Sequence, residues 1–94
     1  MPERTRQVVA VAFPDFQLLD VTGPLEVFSQ ATRLLEARGA RGRYELGVYA
    51  AGAGALSASS GLALVARPLA AAPARPDTLL ITGGRGVAEA VRDR

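Results

Sequence analysis

The chain has 94 residues, about 0.6 of an average domain of roughly 150 residues, so it encodes at most one domain. Hydrophobic residues make up 49% and charged residues 21%, which indicates a globular chain and excludes a disordered tail. The absence of cysteine and histidine excludes disulfides, thiolate–zinc sites and every Ser-His or Cys-His pair within these residues. We therefore expect neither a metal site nor a cofactor.

The charge pattern argues against a nucleic-acid contact from this segment. All 11 basic residues are arginine, the formal net charge is only +2, and the arginines alternate with acids along the chain. The one local cluster, Arg38, Arg41 and Arg43, lies among glycines and alanine, as in a solvated loop. The arginine excess is interpreted first as genome base composition, with nucleic-acid binding as the minor alternative.

Targeting signals are also missing from the sequence. The charged start, residues 1–6, is followed by an apolar run at residues 8–13, before Pro14. A secretory core needs about 7–15 apolar residues and a membrane span about 20. We therefore expect a cytoplasmic protein without a membrane contact.

The first half of the chain predicts a strand, a helix and a second strand. Residues 7–13 form a valine-rich apolar run, typical of a strand that is buried on both faces of a parallel sheet. A helix is predicted from Thr22 as N-cap, with Pro24 in its first turn and Gly39 as its stop. The second strand is predicted at residues 44–50. The buried helix face is predicted from steps of three and four to comprise Val27, Phe28, Ala31, Leu34 and Leu35.

The second half predicts shorter elements. Two short strands are predicted around Gly61, at residues 56–60 and 62–66, and they suggest a hairpin. Residues 67–76 are predicted to form a surface connection. Residues 78–82, Thr-Leu-Leu-Ile-Thr, predict another buried strand, and residues 87–94 begin a helix.

This order of elements predicts an α/β domain with a mainly parallel sheet flanked by helices. Residues 1–94 are expected to form the N-terminal half of such a domain, because the last strand has only some of the neighbours that a central strand needs. The edge of the strand at 78–82 is then exposed and apolar. We expect the isolated chain to be marginally stable, and to form oligomers or aggregates.

Ligands of open α/β sheets bind beyond the carboxyl ends of the strands, where strand order reverses. If the strands at 7–13 and 78–82 are neighbours, the loops that follow them border one crevice. The first loop contains Asp15, interpreted as an exposed turn residue, and Asp20. Two interpretations of Asp20 stay open: its carboxylate accepts backbone N–H groups at the helix start, or it faces the crevice.

The second loop, residues 83–86, contains glycines that allow positive φ angles and a close backbone approach. Free N–H groups at the start of the next helix could hold an anion or an oxyanion. Glu89 stands where a dinucleotide fingerprint has glycine or alanine, and the lysine of a phosphate-binding loop is absent. A simple turn is the alternative interpretation.

Three segments, in order, resemble the ThiJ/PfpI superfamily, a branch of the class I glutamine amidotransferase-like fold. The first is Phe-Pro-Asp-Phe-Gln-Leu-Leu-Asp-Val-Thr-Gly-Pro-Leu-Glu-Val-Phe at residues 13–28. The others are Ser-Ser-Gly-Leu at 59–62 and Asp-Thr-Leu-Leu-Ile-Thr-Gly-Gly at 77–84. The pattern at 19–28 is found mainly in sensor domains of AraC-type transcriptional regulators (the GlxA type) and in isocyanide hydratase-like enzymes.

The resemblance implies a flavodoxin-like, usually dimeric domain. It matches Asp20 to the acid beside the family's nucleophile, and Gly83 and Gly84 to the glycine pair that lines the pocket. Arg85, next in this turn, is included among the expected ligand-binding residues. Thr82 stands where the family more often has proline. The family's cysteine nucleophile and the regulators' DNA-binding helix-turn-helix are expected beyond Arg94, so we expect no enzyme activity from these residues alone.

Two functions are considered first, beside a shortened protein that acts only as an interaction module or a non-functional open reading frame. The first is a partial ligand-sensing domain of an AraC-type regulator, which binds a small effector near Asp20 and Gly84 and is a homodimer as a full domain. The alternative is a fragment of an isocyanide hydratase-like or other ThiJ/PfpI enzyme.

Overall fold

The computed structural model describes residues 5–92. These residues form five strands and two helices, in the order that the sequence predicts. The elements are β1 (Thr5–Val11), α1 (Leu19–Ala37), β2 (Arg43–Ala50), β3 (Gly54–Ser57), β4 (Ala63–Pro68), β5 (Thr78–Ile81) and α2 (Val87–Arg92). A short 3-10 turn, Leu69–Ala71, follows β4. The last two residues of the helix predicted at 87–94 lie outside the described residues.

The five strands form one sheet in the order β3-β4-β2-β1-β5. The β1–β2, β1–β5 and β2–β4 pairs are parallel, and β3 runs antiparallel to β4. This confirms the prediction of an α/β fold with a mainly parallel sheet flanked by helices, an arrangement consistent with a flavodoxin-like fold. Val8, Val9 and Ala10 of β1 are all buried, as expected for a strand with neighbours on both sides and apolar contacts on both faces.

Helix α1 begins three residues before the predicted N-cap. Leu18, the residue before the helix, has helical dihedral angles and no side-chain cap. Thr22 lies in the first turn, where its hydroxyl donates to the Leu18 carbonyl at 3.2 Å. The prediction of Thr22 as N-cap is therefore wrong, and Pro24 lies inside the helix rather than in its first turn. Because proline has no N–H, the Asp20 carbonyl loses its helical hydrogen-bond donor.

The C-terminus of α1 is as predicted. Gly39 adopts φ +76°, and its N–H donates to the Glu36 carbonyl at 3.0 Å. The N–H of Ala40 donates to the Leu35 carbonyl at 2.9 Å. These two hydrogen bonds form a Schellman motif, for which glycine in the left-handed region is the favoured residue.

The buried face of α1 differs in part from the predicted one. Val27 is 67% exposed and Leu34 is 60% exposed. The side of the helix that meets the sheet carries Val21, Leu25 and Phe28, and the Phe28 ring lies 4.8 Å from that of Tyr44. Val27 and Leu34 satisfy helical spacing but point away from the sheet, so their assignment to the buried face is wrong.

The hairpin predicted around Gly61 is confirmed, with shifted boundaries. Strand β3 ends at Ser57, three residues before the predicted end, and β4 begins at Ala63, one residue after the predicted start. Gly61 adopts φ +92° in the turn between them, and its N–H donates to the Ala58 carbonyl at 3.0 Å. Strand β4 extends to Pro68, so its last two residues lie in the segment that was predicted to be a surface connection.

Strand β5 is an edge strand of the sheet in the part of the chain that is described. Leu80 packs on the core, whereas Leu79 is 55% and Ile81 65% exposed. The prediction of a buried strand is therefore wrong for one of its faces, because no helix of residues 5–92 covers that face at β5. Neither α1 nor α2 combines the length and the hydrophobicity that crossing a membrane requires.

Candidate functional site

The two loops after β1 and β5 lie at the same edge of the sheet. Since β1 and β5 are parallel neighbours, their carboxyl ends meet there. The Gln17 N–H donates to the Gly83 carbonyl at 2.8 Å, and Phe16 forms an antiparallel bridge with Gly84. The two loops therefore lie side by side, as the sequence predicts, at the end of the sheet where ligands of open α/β sheets bind. We call the surface formed by Asp20, Gly83, Gly84 and Arg85 the crevice.

Asp20 joins the two sides of this crevice. It lies in the first turn of α1, and its Oδ2 accepts a hydrogen bond from the Gly83 N–H at 2.8 Å. The donor comes from the opposite loop rather than from the start of α1, so the carboxylate of Asp20 links the two loops. Asp20 remains exposed to solvent, so the carboxylate is accessible to a small molecule.

The turn at 83–86 depends on glycine at two positions. Gly84 has φ +127°, and a Cβ there would lie 2.6 Å from both the Asp15 carbonyl oxygen and the Gln17 nitrogen. A Cβ on Gly86 would overlap the Pro14 carbonyl oxygen. The two loops therefore approach more closely than any side chain allows, as the glycine pattern predicts.

The Ser-Ser-Gly segment forms a third wall of the crevice. The Ser59 N–H donates to the Phe16 carbonyl at 2.8 Å, and Phe16 also forms a parallel bridge with Ala58. Arg85 reaches across from the glycine turn, and its Nη2 donates to the Ser59 carbonyl at 3.2 Å. All three segments of the family resemblance thus meet around one short piece of chain, residues 15–17.

Arg85 adds a positive charge to the glycine turn, where it follows Gly84 in the sequence. The guanidinium has five N–H donors in a planar fork, and the hydrogen bond to Ser59 uses one of them. Arg85 is exposed, so its other donors face solvent. The crevice therefore combines a hydrogen-bond acceptor and an anion-binding group.

The expectation of free N–H groups at the start of α2 is wrong for two of them. The Gly86 N–H donates to the Asp15 carbonyl and the Val87 N–H to the Gly84 carbonyl, each at 3.2 Å. These groups stabilise the turn and are not available to an anion. Asp15 is an exposed turn residue with φ +63°, in agreement with its interpretation from the sequence.

Two features of the site were not predicted from the sequence. Phe16 is fully buried between the hairpin and the glycine turn, although its surroundings, Pro-Asp before it and Gln after it, indicate only a surface turn. Thr82 is also buried, and its hydroxyl has no hydrogen-bond partner among the described residues. Threonine at this position places a hydroxyl directly before the glycine pair.

An open groove of about 750 Å³ lies beside the crevice. Its walls come from the carboxyl ends of β1 and β2, from β3 and from α2, and most of its residues are small and apolar. Pro14 and Gly86 line it, whereas Asp20, Gly83, Gly84 and Arg85 do not. The polar groups and the apolar volume are therefore adjacent but separate. No three acidic side chains in residues 5–92 lie close enough together to hold a metal ion.

Comparisons with known proteins leave the function open. No protein-family model matches the chain. An uncharacterized protein in the cpoL 5′ region of Streptomyces lividans is 38% identical over 78 residues. The match covers 83% of this chain and 51% of that protein, so the chain spans about half of its relative's length. The ThiJ/PfpI resemblance stays a prediction.

Proposed function

We propose that this chain is the ligand-sensing part of a ThiJ/PfpI-like domain of an AraC-type transcriptional regulator. A small polar effector binds in the crevice, between Asp20, Gly83, Gly84 and Arg85. The regulator works in the cytoplasm, and its full sensor domain forms a homodimer.

One contact carries this proposal, the hydrogen bond from the Gly83 N–H to the carboxylate of Asp20. It connects two segments that are 63 residues apart in the sequence, and both belong to the family resemblance. A ligand that binds to Asp20 or to the glycine turn therefore alters the contact between the two loops. This gives an effector a direct way to change the structure of the domain.

The chemistry of the crevice favours an effector with a carboxylate or amide group. Arg85 pairs with a carboxylate through charge-assisted hydrogen bonds, and Asp20 accepts an N–H. An apolar part of the effector fits the neighbouring groove, which Pro14 and Gly86 share with the two loops.

The binding site is tested by titrating the ¹⁵N-labelled chain with acetate and with acetamide. We expect amide shift changes confined to the crevice, at Gly83, Gly84 and Arg85. The variant Arg85→Ala should weaken acetate binding about tenfold, because it removes the cation. The matched control, Arg33→Ala, removes an exposed arginine from α1 and should leave the titration unchanged. Equal effects of both variants, or no shift changes in the crevice with either probe, would contradict the proposal.

The alternative, an isocyanide hydratase-like enzyme, uses a thiol nucleophile, and this chain contains no cysteine. We therefore expect the purified chain not to hydrate an isocyanide, as followed by loss of the isocyanide infrared band. Turnover that co-purifies with the chain and is lost in Asp20→Ala would contradict a purely sensory role.

A further inference from the structure

The hydroxyl of Thr82 is buried without a hydrogen-bond partner among residues 5–92. The residue is only 5% exposed, and its N–H continues the ladder of β5 by donating to the Val11 carbonyl at 3.2 Å. Such a hydroxyl has lost its hydrogen bonds to water and gained none in return, which destabilises the arrangement that buries it. Because the described residues themselves exclude solvent from Oγ1, no other segment reaches this atom while they keep this arrangement.

Thr82 lies directly before the contact between the two loops. Alternation along β5 places its side chain on the same sheet face as Leu80, which packs on the core beneath α1. From the first turn of α1, Asp20 accepts the Gly83 N–H at 2.8 Å. The Gly83 carbonyl in turn accepts the Gln17 N–H at 2.8 Å. Both backbone groups of the residue after Thr82 are therefore held by the opposite loop, and the hydroxyl is buried next to the place where the loops meet.

The packing at this position does not require a hydroxyl. Valine has nearly the shape of threonine, is equally favoured in strands and leaves no polar group unpaired. Threonine therefore makes the closed arrangement of the loops less stable than valine would. The difference disappears once water reaches Oγ1, and water reaches it when the glycine turn moves away from Asp20, because Gly83 is the next residue of the chain. Thr82 thus lowers the free energy that separating the loops requires.

We propose that Thr82 sets the balance between a closed and an open state of the crevice. In the closed state, Asp20 holds the Gly83 N–H, and the Thr82 hydroxyl has no partner among the described residues. In the open state, the glycine turn has moved away from Asp20, and water hydrates the hydroxyl. A ligand that binds the open state then works against a smaller free-energy difference than it would with valine at this position. The device acts in the free chain, whichever effector binds.

Amide hydrogen exchange of Thr82→Val tests this device. Each rate is divided by that of an unfolded peptide of the same sequence, because residue 82 also alters the intrinsic exchange of the Gly83 amide. We expect Gly83 to exchange at least about fivefold more slowly in the variant, since only the closed state leaves the hydroxyl unhydrated. The Val9 amide of β1, which exchanges when the sheet opens, should slow by a similar factor, because unfolding also hydrates the hydroxyl.

Unchanged or faster exchange at Gly83 would overturn the proposal. If Val9 alone slows, the hydroxyl stays buried when the glycine turn moves. If neither amide slows, the hydroxyl has a hydrogen-bond partner in solution. Each of these results removes the reason for which Thr82 would favour the open state.

Two matched variants separate the hydroxyl from other effects of the substitution. Thr82→Ser keeps the hydroxyl and removes a methyl group, so exchange at Gly83 should not slow. Thr78→Val makes the same chemical change at the other end of β5, where Thr78 is half-buried, and should alter exchange at Gly83 less than about twofold. Equal slowing in either variant would overturn the proposal. The chain is measured without ligand, so this result is independent of the acetate titration.

Discussion

Asp20 and Gly83 form the contact on which the crevice depends. The carboxylate of Asp20 accepts the N–H of a residue in the opposite loop at 2.8 Å, in a charge-assisted hydrogen bond. A Cβ on Gly83 would lie only 3.3 Å from Oδ2, so glycine at this position also leaves room for the carboxylate. Both residues thus contribute to holding the loops together, along with the hydrogen bond from the Gln17 N–H to the Gly83 carbonyl.

Replacing Asp20 tests the energetic weight of this contact. We expect Asp20→Ala to lower the free energy of unfolding by about 1–2 kcal/mol, because it leaves the Gly83 N–H without its partner. Asp20→Asn keeps an acceptor and should cost less. The control Glu36→Ala removes an exposed acid from the same helix and should change stability by less than about 0.5 kcal/mol in urea denaturation. A similar loss in both alanine variants would argue against the contact.

Alanine substitutions at Gly84 and Gly52 test the close approach of the loops, with Gly52 as the control. Gly84→Ala should destabilise the chain by about 2–4 kcal/mol, because it adds a Cβ at a positive φ and against backbone atoms. A Cβ on Gly52 meets no atom within 4 Å, so Gly52→Ala should be neutral or stabilising by up to about 1 kcal/mol. Thermal melting of both variants measures the difference, and a neutral Gly84→Ala would mean that the loops are not in contact.

At the scale of the elements, the sequence predicted the type and order of every strand and helix. The sequence prediction failed for features that depend on what surrounds an element, such as where a helix begins and which of its faces is buried. Leu18, which precedes the first residue of α1, has no capping side chain, so no sequence signal marked the start of the helix. Val27 and Leu34 have the spacing of a buried face, but periodicity cannot tell which side of a wide apolar stripe meets the sheet.

Two substitutions in helix α1 test directly which face of the helix is buried. Phe28→Ala should lower the free energy of unfolding by about 2 kcal/mol, since the ring packs on Tyr44 and is half-buried. Leu34→Ala, at a position that is 60% exposed, should cost less than about 0.5 kcal/mol. Equal losses in urea denaturation would mean that the stripe predicted from the sequence is buried after all.

For the whole molecule, β1 organises both the core and the site. It lies between β2 and β5, and the chain that leaves it contacts the hairpin on one side and the glycine turn on the other. The sequence predicted that the loops after β1 and β5 lie side by side, which the parallel β1–β5 pair confirms. It did not place the Ser-Ser-Gly segment beside them. It did not predict that residues 15–17 would connect them, because their hydrogen bonds join positions that are distant along the chain.

The central claim is that the carboxylate of Asp20 holds the two loops together through the Gly83 N–H. Amide hydrogen exchange at Gly83 tests this claim most directly. We expect the Gly83 amide to be protected in the wild-type chain and to exchange at least about tenfold faster in Asp20→Ala, relative to the Val9 amide of β1 in the same sample. In Glu36→Ala the ratio should not change. A Gly83 amide that exchanges at the same relative rate with and without the Asp20 carboxylate would contradict the account.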